Sequence, residues 1–281
     1  MKPTVAILAQ GGMGAAIGAQ LVTHGLTVKT PLAGRSAASI ERARTAGMVD
    51  ASLVEIAECD ILLSIVPSAD ALAVAEKFAG ALSASAKKPV YVDCNAINPQ
   101  TLRKIAGVIA KTGCPFVDAG IIGLPPKPGG NSPKFFACGD GFETFKTLSS
   151  FGMDVRHVEG PVGAASTLKM CYGGITKGVI AVGAAMILAA ARSGAGKALF
   201  DELSSSQSNL VASYARSLPD MLPKAGRWIG EMQEISAFVG SQSPEGDVYS
   251  AFADFYKRLS GGDADAQEEA SMILSFFPKA E

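Results

Sequence analysis

Histidine, cysteine and charge are all scarce in this chain, and each scarcity closes off a class of function. Of 281 residues only His24 and His157 are histidine, and the five cysteines (Cys59, Cys94, Cys114, Cys138 and Cys171) form no Cys-x-x-Cys pair. A structural zinc site draws on such pairs and a disulfide framework on an even cysteine set, so neither is expected and no metal is assigned. The cysteines read instead as small buried hydrophobes of a reduced, cytoplasmic protein. Charged side chains make up 18% of the chain, 25 basic against 26 acidic, and no block of one sign interrupts the mixture. Nucleic acid and anionic membranes are therefore not expected partners. The apolar run at 5–8 is a strand's length and leads into glycines, a pattern unlike a signal peptide. A longer apolar stretch, 178–191, lies between Lys177 and Arg192 and falls short of the roughly 20 residues that a bilayer needs. It reads as a helix buried between domains or subunits, which favours a homodimer.

What is present is an alternation of strand and helix signals. Strand-like runs at 5–8, 25–30, 61–65, 90–93 and 115–117 alternate with helical patterns at 15–24, 37–46, 52–57, 71–82 and 99–111. This predicts a mostly parallel sheet with helices on both faces. Residues 120–133, with four prolines and four glycines, read as a loop. A strand at 134–138, a helix at 141–149 and a strand at 155–157 follow. After Gly160-Pro161 only helical patterns remain, at 162–192, 195–217, 220–238, 247–258 and 263–277. The expected class is α/β: a Rossmann-like dinucleotide-binding domain over 1–159, then an all-α domain over 160–281 for substrate binding and dimerisation.

The sequence Ala9-Gln10-Gly11-Gly12-Met13-Gly14 stands where a dinucleotide fingerprint belongs, after the first strand and opening the first helix. Gly11 lets the backbone approach a pyrophosphate, Gly14 allows close helix–strand packing, and the open N–H groups of the helix start hold the phosphates. Ala9 occupies the place of the usual first glycine. A purely structural turn is the plainer alternative. NAD sites carry an acid near the end of the second strand; residues 31–36 contain none and end in Arg35-Ser36. A guanidinium fork beside a hydroxyl suits a 2′-phosphate, so NADP(H) is the expected cofactor, unless Arg35 is only a solvated loop cation. Val66, Pro67 and Asn95 end the third and fourth apolar strands on the edge where such sheets bind ligands. Asn95 is expected near the nicotinamide, with stabilisation of a turn as the alternative.

In these segments, and in 118–130 and 160–178, the sequence resembles the beta-hydroxyacid dehydrogenase superfamily. It is most similar to the 6-phosphogluconate dehydrogenase-like, NAD-binding branch with a divergent helical C-terminal domain. The resemblance implies a cofactor on the first domain, a small-molecule substrate held against the second, and homodimers with interlocked helical domains. The family's catalytic lysine is matched by Lys169, in Lys169-Met-Cys-Tyr172-Gly173-Gly-Ile. A lysine on a small, apolar helix at a domain junction suits general acid–base work; in isolation, a lysine snorkelling to solvent is the commoner case.

The departures bear on substrate. Tyr172 and Gly173 stand where phosphogluconate enzymes have histidine and asparagine, and Thr176 stands where an acid is expected. Tyr172 is assigned a hydrogen bond to a substrate oxygen, and Gly173 room for a bulkier substrate. The substrate loop reads Asp118-Ala-Gly-Ile-Ile122-Gly123-Leu, so Ile122 replaces a carboxylate-binding serine, which argues against a phosphosugar acid. Lys127 or Asn131 in the following loop would meet a polar substrate group, or form plain surface. Trp228 and Glu231, with Met232 and Glu234, would cap the cleft, or the Trp–Met pair would be core. The expectation is an NADP(H)-dependent dehydrogenase or reductase acting on a CH–OH group of a hydroxyacid or ketoacid. An imine reductase on the same scaffold and a non-catalytic NADP(H)-binding protein are the alternatives.

Overall fold

The computed structural model describes residues 2–278. Eight strands form one sheet: β1 (Thr4–Leu8), β2 (Thr27–Thr30), β3 (Val49–Asp50), β4 (Ile61–Ser64), β5 (Val90–Asp93), β6 (Phe116–Ile122), β7 (Lys134–Cys138) and β8 (Asp154–His157). Their order is β3-β2-β1-β4-β5-β6-β7-β8, parallel throughout except for the antiparallel β6–β7 pair. Between them run α1 (Gly12–Thr23), α2 (Ala37–Thr45), α3 (Leu53–Ala57), α4 (Ala71–Ala84), α5 (Pro99–Ala110) and α6 (Phe142–Lys146).

Central parallel strands covered on both faces read as continuous apolar runs. Accordingly β4 (ILLS) and β5 (VYVD) are buried along their whole length. Alternate residues feed two cores. Ile7 and Val92 join Ile17 and Leu21 of α1 and Phe145 of α6; Leu8 and Leu62 join Phe78, Leu82, Leu102 and Ile105 of α4 and α5. Helix starts follow local chemistry. Ser52 and Glu55 form a reciprocal capping box on α3, and Asn98 caps α5 ahead of Pro99.

The helical part comprises α7 (Ala164–Arg192), α8 (Gly196–Ser206), α9 (Ser208–Met221), α10 (Ala225–Val239), α11 (Pro244–Leu259) and α12 (Ala264–Ser275). The change from mixed to purely helical structure falls between His157 and Ala164, whereas the first compact unit extends to Met170 and the second begins at Cys171. The first two turns of α7 therefore belong with the sheet.

Strand β3, which the sequence does not signal, has only two residues, too few to show a periodicity. Two expectations need correction. Strand β6 continues to Ile122 through Gly120, which reads as a loop start in the sequence. The helix expected over 195–217 is two helices, broken at Gln207 with extended φ of −139°. As expected over 162–192, α7 is a single helix; its 29 residues are long and apolar enough on those grounds alone to cross a membrane, which the stretch between Lys177 and Arg192 is not. Its glycine face, however, is covered by its own unit. A Cβ at Gly183 would lie 2.4 Å from Tyr214 Cζ, and one at Gly174 2.9 Å from Tyr249 Oη. The Tyr214 and Tyr256 hydroxyls donate to the Val179 and Lys177 carbonyls at 3.1 and 2.7 Å.

Candidate active site

The glycine-rich turn is shaped by what its residues lack. Ala9 adopts φ +74°, a left-handed conformation that costs a non-glycine residue about 1–2 kcal/mol. A Cβ on Gly14 would sit 2.2 Å from the Ala9 carbonyl oxygen, so position 14 admits no side chain. Around Gly11 and Gly12 the space is open. The first bond of α1 runs from the Ala15 N–H to the Gly11 carbonyl at 2.9 Å, with no capping side chain and no acid in the first turn. Open N–H groups at a helix start, with room for backbone approach, fit a dinucleotide pyrophosphate. Met13 packs against the sheet core beside them.

Gln10 is placed differently from the expectation of a cofactor contact. Its side chain is buried and turned beneath β2, donating to Thr30 Oγ1 and to the Pro31 carbonyl at 3.2 Å, while Thr30 Oγ1 donates to the Ile7 carbonyl at 2.7 Å. Only its backbone faces the turn, and its carbonyl accepts from Arg42 Nε at 2.7 Å. Arg35 is exposed in the β2–α2 turn, after Gly34 at φ +75°. Ser36 caps α2, its Oγ accepting from the Ser39 N–H at 3.3 Å and donating to Ser39 Oγ at 3.2 Å. Arg42, which sequence reasoning passed over, donates from Nη2 to that same Ser39 Oγ at 2.9 Å.

At the strand ends, Asn95 works as a latch. Its Oδ1 accepts from the Val66 N–H at 2.7 Å and its Nδ2 donates to Ser64 Oγ at 3.1 Å, so it sets the positions of Val66 and the exposed Pro67. The Asn95 N–H donates to Asp93 Oδ1 at 3.0 Å. Asp93 is fully buried, and its Oδ2, like the Tyr91 hydroxyl, has no hydrogen-bond partner among the described residues. Burial pushes the Asp93 carboxyl from its ordinary 3.8 up to about 7, with the charge of Asp118 adding to the effect.

Asp118, at the middle of β6, anchors the start of α7. One carboxylate oxygen accepts from the Gly163 and Ser166 N–H groups at 2.9 and 3.1 Å, the other from Ser166 Oγ at 2.6 Å. A carboxylate from the sheet thus replaces a local N-cap. Lys169 follows Ser166 by one turn. Its ammonium donates to the Ile121 carbonyl, so the side chain is held at the end of β6 rather than extended to solvent. The approach depends on Gly120, where a Cβ would meet both Lys169 Cβ and the Ala165 carbonyl oxygen at 3.0 Å. Asp118→Ala is expected to destabilise the fold by about 2–4 kcal/mol, because buried N–H groups lose a charged acceptor; urea unfolding measures this, and a change under 1 kcal/mol refutes the anchoring role. Sequence reasoning gave Asp118 no task, and no local pattern marks it, because its partners Gly163 and Ser166 lie far along the chain.

Ile122 closes the β6–β7 ladder opposite Lys134, and Gly123 turns the chain at φ +136°. Lys127 lies in the loop Pro126–Gly130, which lines a cavity of about 510 Å³ together with α1 and α2.

In the second unit, Lys177 and Glu231 form an ion pair at 2.6 Å, and the Lys177 ammonium lies 5.4 Å from the Trp228 ring centroid. Trp228 is 7% exposed and meets Tyr256 edge-on at 5.3 Å, so it is core and not an open wall. Gly173 is buried, and the nearest atoms to an ideal Cβ there are Lys177 Nζ and Ile235 Cδ1, at 3.7 and 3.8 Å, ordinary contact distances. Tyr172 stands on the exposed face of α7.

Residues 4–141 match the family model described as the NAD binding domain of 6-phosphogluconate dehydrogenase, and residues 190–259 match a domain of unknown function, DUF1932. An uncharacterized 28.5 kDa protein of Methanothermus fervidus is 34% identical over 123 residues, 44% of this chain. The match spans 45% of that relative's own length. The 3-hydroxyisobutyrate dehydrogenase of Pseudomonas aeruginosa is 26% identical over 231 residues, 79% of this chain and 76% of the relative. A conserved protein of unknown function, whose structure is similar to 3-hydroxyacid dehydrogenases, superposes with a TM-score of 0.75 at 27% identity, covering 95% of this chain and 99% of its own.

Proposed function

Since this chain joins a 6-phosphogluconate dehydrogenase-like NAD-binding Rossmann domain to a divergent helical C-terminal domain, as hydroxyacid dehydrogenase relatives do, we propose that it is an NADP(H)-dependent dehydrogenase or reductase of small hydroxyacids and ketoacids. The observation that carries this reading is the placement of Lys169: its ammonium is held by the Ile121 carbonyl at the ligand-binding edge of the sheet. Bound at the glycine-rich turn, the nicotinamide cofactor supplies or accepts the hydride. Gly11 to Gly14 hold its pyrophosphate, Arg35 and Ser36 its 2′-phosphate, and Val66, Pro67 and Asn95 flank its nicotinamide end. Lys169 protonates the carbonyl oxygen as the substrate is reduced; in the reverse direction the neutral amine removes the hydroxyl proton.

The test is single-turnover reduction with NADPH deuterated at C4, offered to parallel panels of ketoacids and cyclic imines. Deuterium at the carbinol carbon of a hydroxyacid supports the proposal. Transfer to imines alone replaces it with imine reduction, and tight NADPH binding without transfer replaces it with a sensor.

A second copy of the chain completes the reading. Tyr172, Ile175, Val179, Val182 and Met186 recur every three or four residues along α7, and all are exposed. Such spacing is the seam of a helix pair, and an uncovered apolar stripe of this length marks an interaction surface. Light scattering is expected to show a dimer for the native chain and a folded monomer for Val182→Glu/Met186→Glu. A dimer that survives both charges places the interface elsewhere.

A further inference from the structure

The cofactor turn has an unusual construction, and Arg42 is the part of it with no assigned role. Where Rossmann turns use glycine, Ala9 is held at φ +74°. Glycine takes this conformation freely and alanine does not, so neighbouring contacts must hold the turn. One is the buried Gln10 side chain beneath β2. The other comes from outside the sheet: Arg42 Nε donates to the Gln10 carbonyl at 2.7 Å. The same guanidinium donates from Nη2 to Ser39 Oγ at 2.9 Å, and Ser39 is bonded to the Ser36 cap. One cation thus ties the pyrophosphate turn to the start of α2. Among the described residues no acid forms an ion pair with Arg42, so its charge stays beside the turn.

We propose that Arg42 is a positioning residue for cofactor binding, holding the Ala9–Gly12 turn in the shape that receives a pyrophosphate and substituting for the missing glycine. The proposal rests on the reading of the chain as a nicotinamide-cofactor enzyme. It sets Arg42 apart from Arg35. A residue that shapes the pyrophosphate turn acts on NADPH and NADH alike, whereas one that meets the 2′-phosphate acts on NADPH alone. It also links Arg42 to Ala9, since a glycine at position 9 removes the strain that the guanidinium offsets.

The experiment is titration of the full chain with NADPH and NADH, read by nucleotide fluorescence and calorimetry, for Arg42→Ala, Arg35→Ala and Arg42→Ala/Ala9→Gly. Arg42 is an exposed helix residue, where alanine is well tolerated, and thermal unfolding verifies that the fold is kept. Loss of these charge-assisted bonds is expected to raise Kd about tenfold for both nucleotides in Arg42→Ala. The double variant recovers most of that loss, and Arg35→Ala weakens NADPH alone. The proposal is overturned by an Arg42→Ala variant that binds both nucleotides as the native chain does. It is equally overturned by one weakened only for NADPH, or by a loss that Ala9→Gly does not restore. A native chain that binds neither nucleotide sinks the cofactor reading itself, and this proposal with it.

Discussion

Replacing Lys169 with alanine is expected to lower kcat by about two to four orders of magnitude, the usual contribution of a positioned acid–base group, while NADPH binding stays within a few-fold of native. The reasons are local. The Lys169 ammonium meets the Ile121 carbonyl at the end of β6, whereas the glycine-rich turn lies at the start of α1. Alanine keeps the Cβ that lies against Gly120, and the Asp118 bonds to Gly163 and Ser166 still fix the start of the helix. The variant therefore loses the proton donor and little of the fold. Lysine-to-arginine replacement sharpens the result. Arginine keeps the positive charge but does not release a proton near neutrality, so the oxidation of a hydroxyacid is expected to suffer at least as much as with alanine. Steady-state rates with NADP(H), beside nucleotide titrations, measure both. If kcat for Lys169→Ala stays within threefold of native, the proton is carried by another group.

Those features of the fold that repeat over many residues were legible in the sequence. Continuous apolar runs marked β1, β4 and β5, and the glycines before α1 marked the turn that opens that helix, because each is written in consecutive residues. Features that depend on one distant contact were not. Gly120 reads as a break, yet it is a strand residue kept small by Lys169 and Ala165. For the only tryptophan the core reading is the commoner one beside that of a cleft wall, and its ring contact with Tyr256, from the next helix, makes it core. Arg42 is one of several cations along the chain until the folded turn sets the Gln10 carbonyl against it. Asp93 ends β5 and Asp118 lies within β6; that Asp118 receives the start of α7 while Asp93 is left half-satisfied depends on residues far along the chain.

That half-satisfied acid carries the other large expected effect, a loss of stability with rising pH. Asp93 is buried with one carboxylate oxygen unpartnered, and its carboxyl titrates at about 7 in place of the ordinary 3.8. Below the lower value both folded and unfolded chains hold the proton, and the full stabilisation is present. Between the two values the unfolded chain has released its proton while the folded chain keeps it, so the fold weakens as pH rises, by about 1.4 kcal/mol per pH unit. Over this window the contribution comes to about 4 kcal/mol, gone once the pH passes 7. Asp93→Asn isolates the effect, since an amide retains the Oδ1 that accepts from the Asn95 N–H and never ionises. Urea unfolding from pH 4 to pH 8 is expected to show similar stabilities for the two proteins at pH 4 and a more stable variant at pH 8, by up to about 4 kcal/mol. Parallel curves across that range mean that Asp93 is ionised in the folded protein at low pH. The likeness between amide and protonated acid also makes a prediction about binding. Asn95 is latched to Asp93 and sets the position of Val66, so ionisation of Asp93 reaches the strand ends beside the cofactor turn. A fall in NADPH affinity near pH 7 that is present in the native chain and absent in Asp93→Asn is the expected signature.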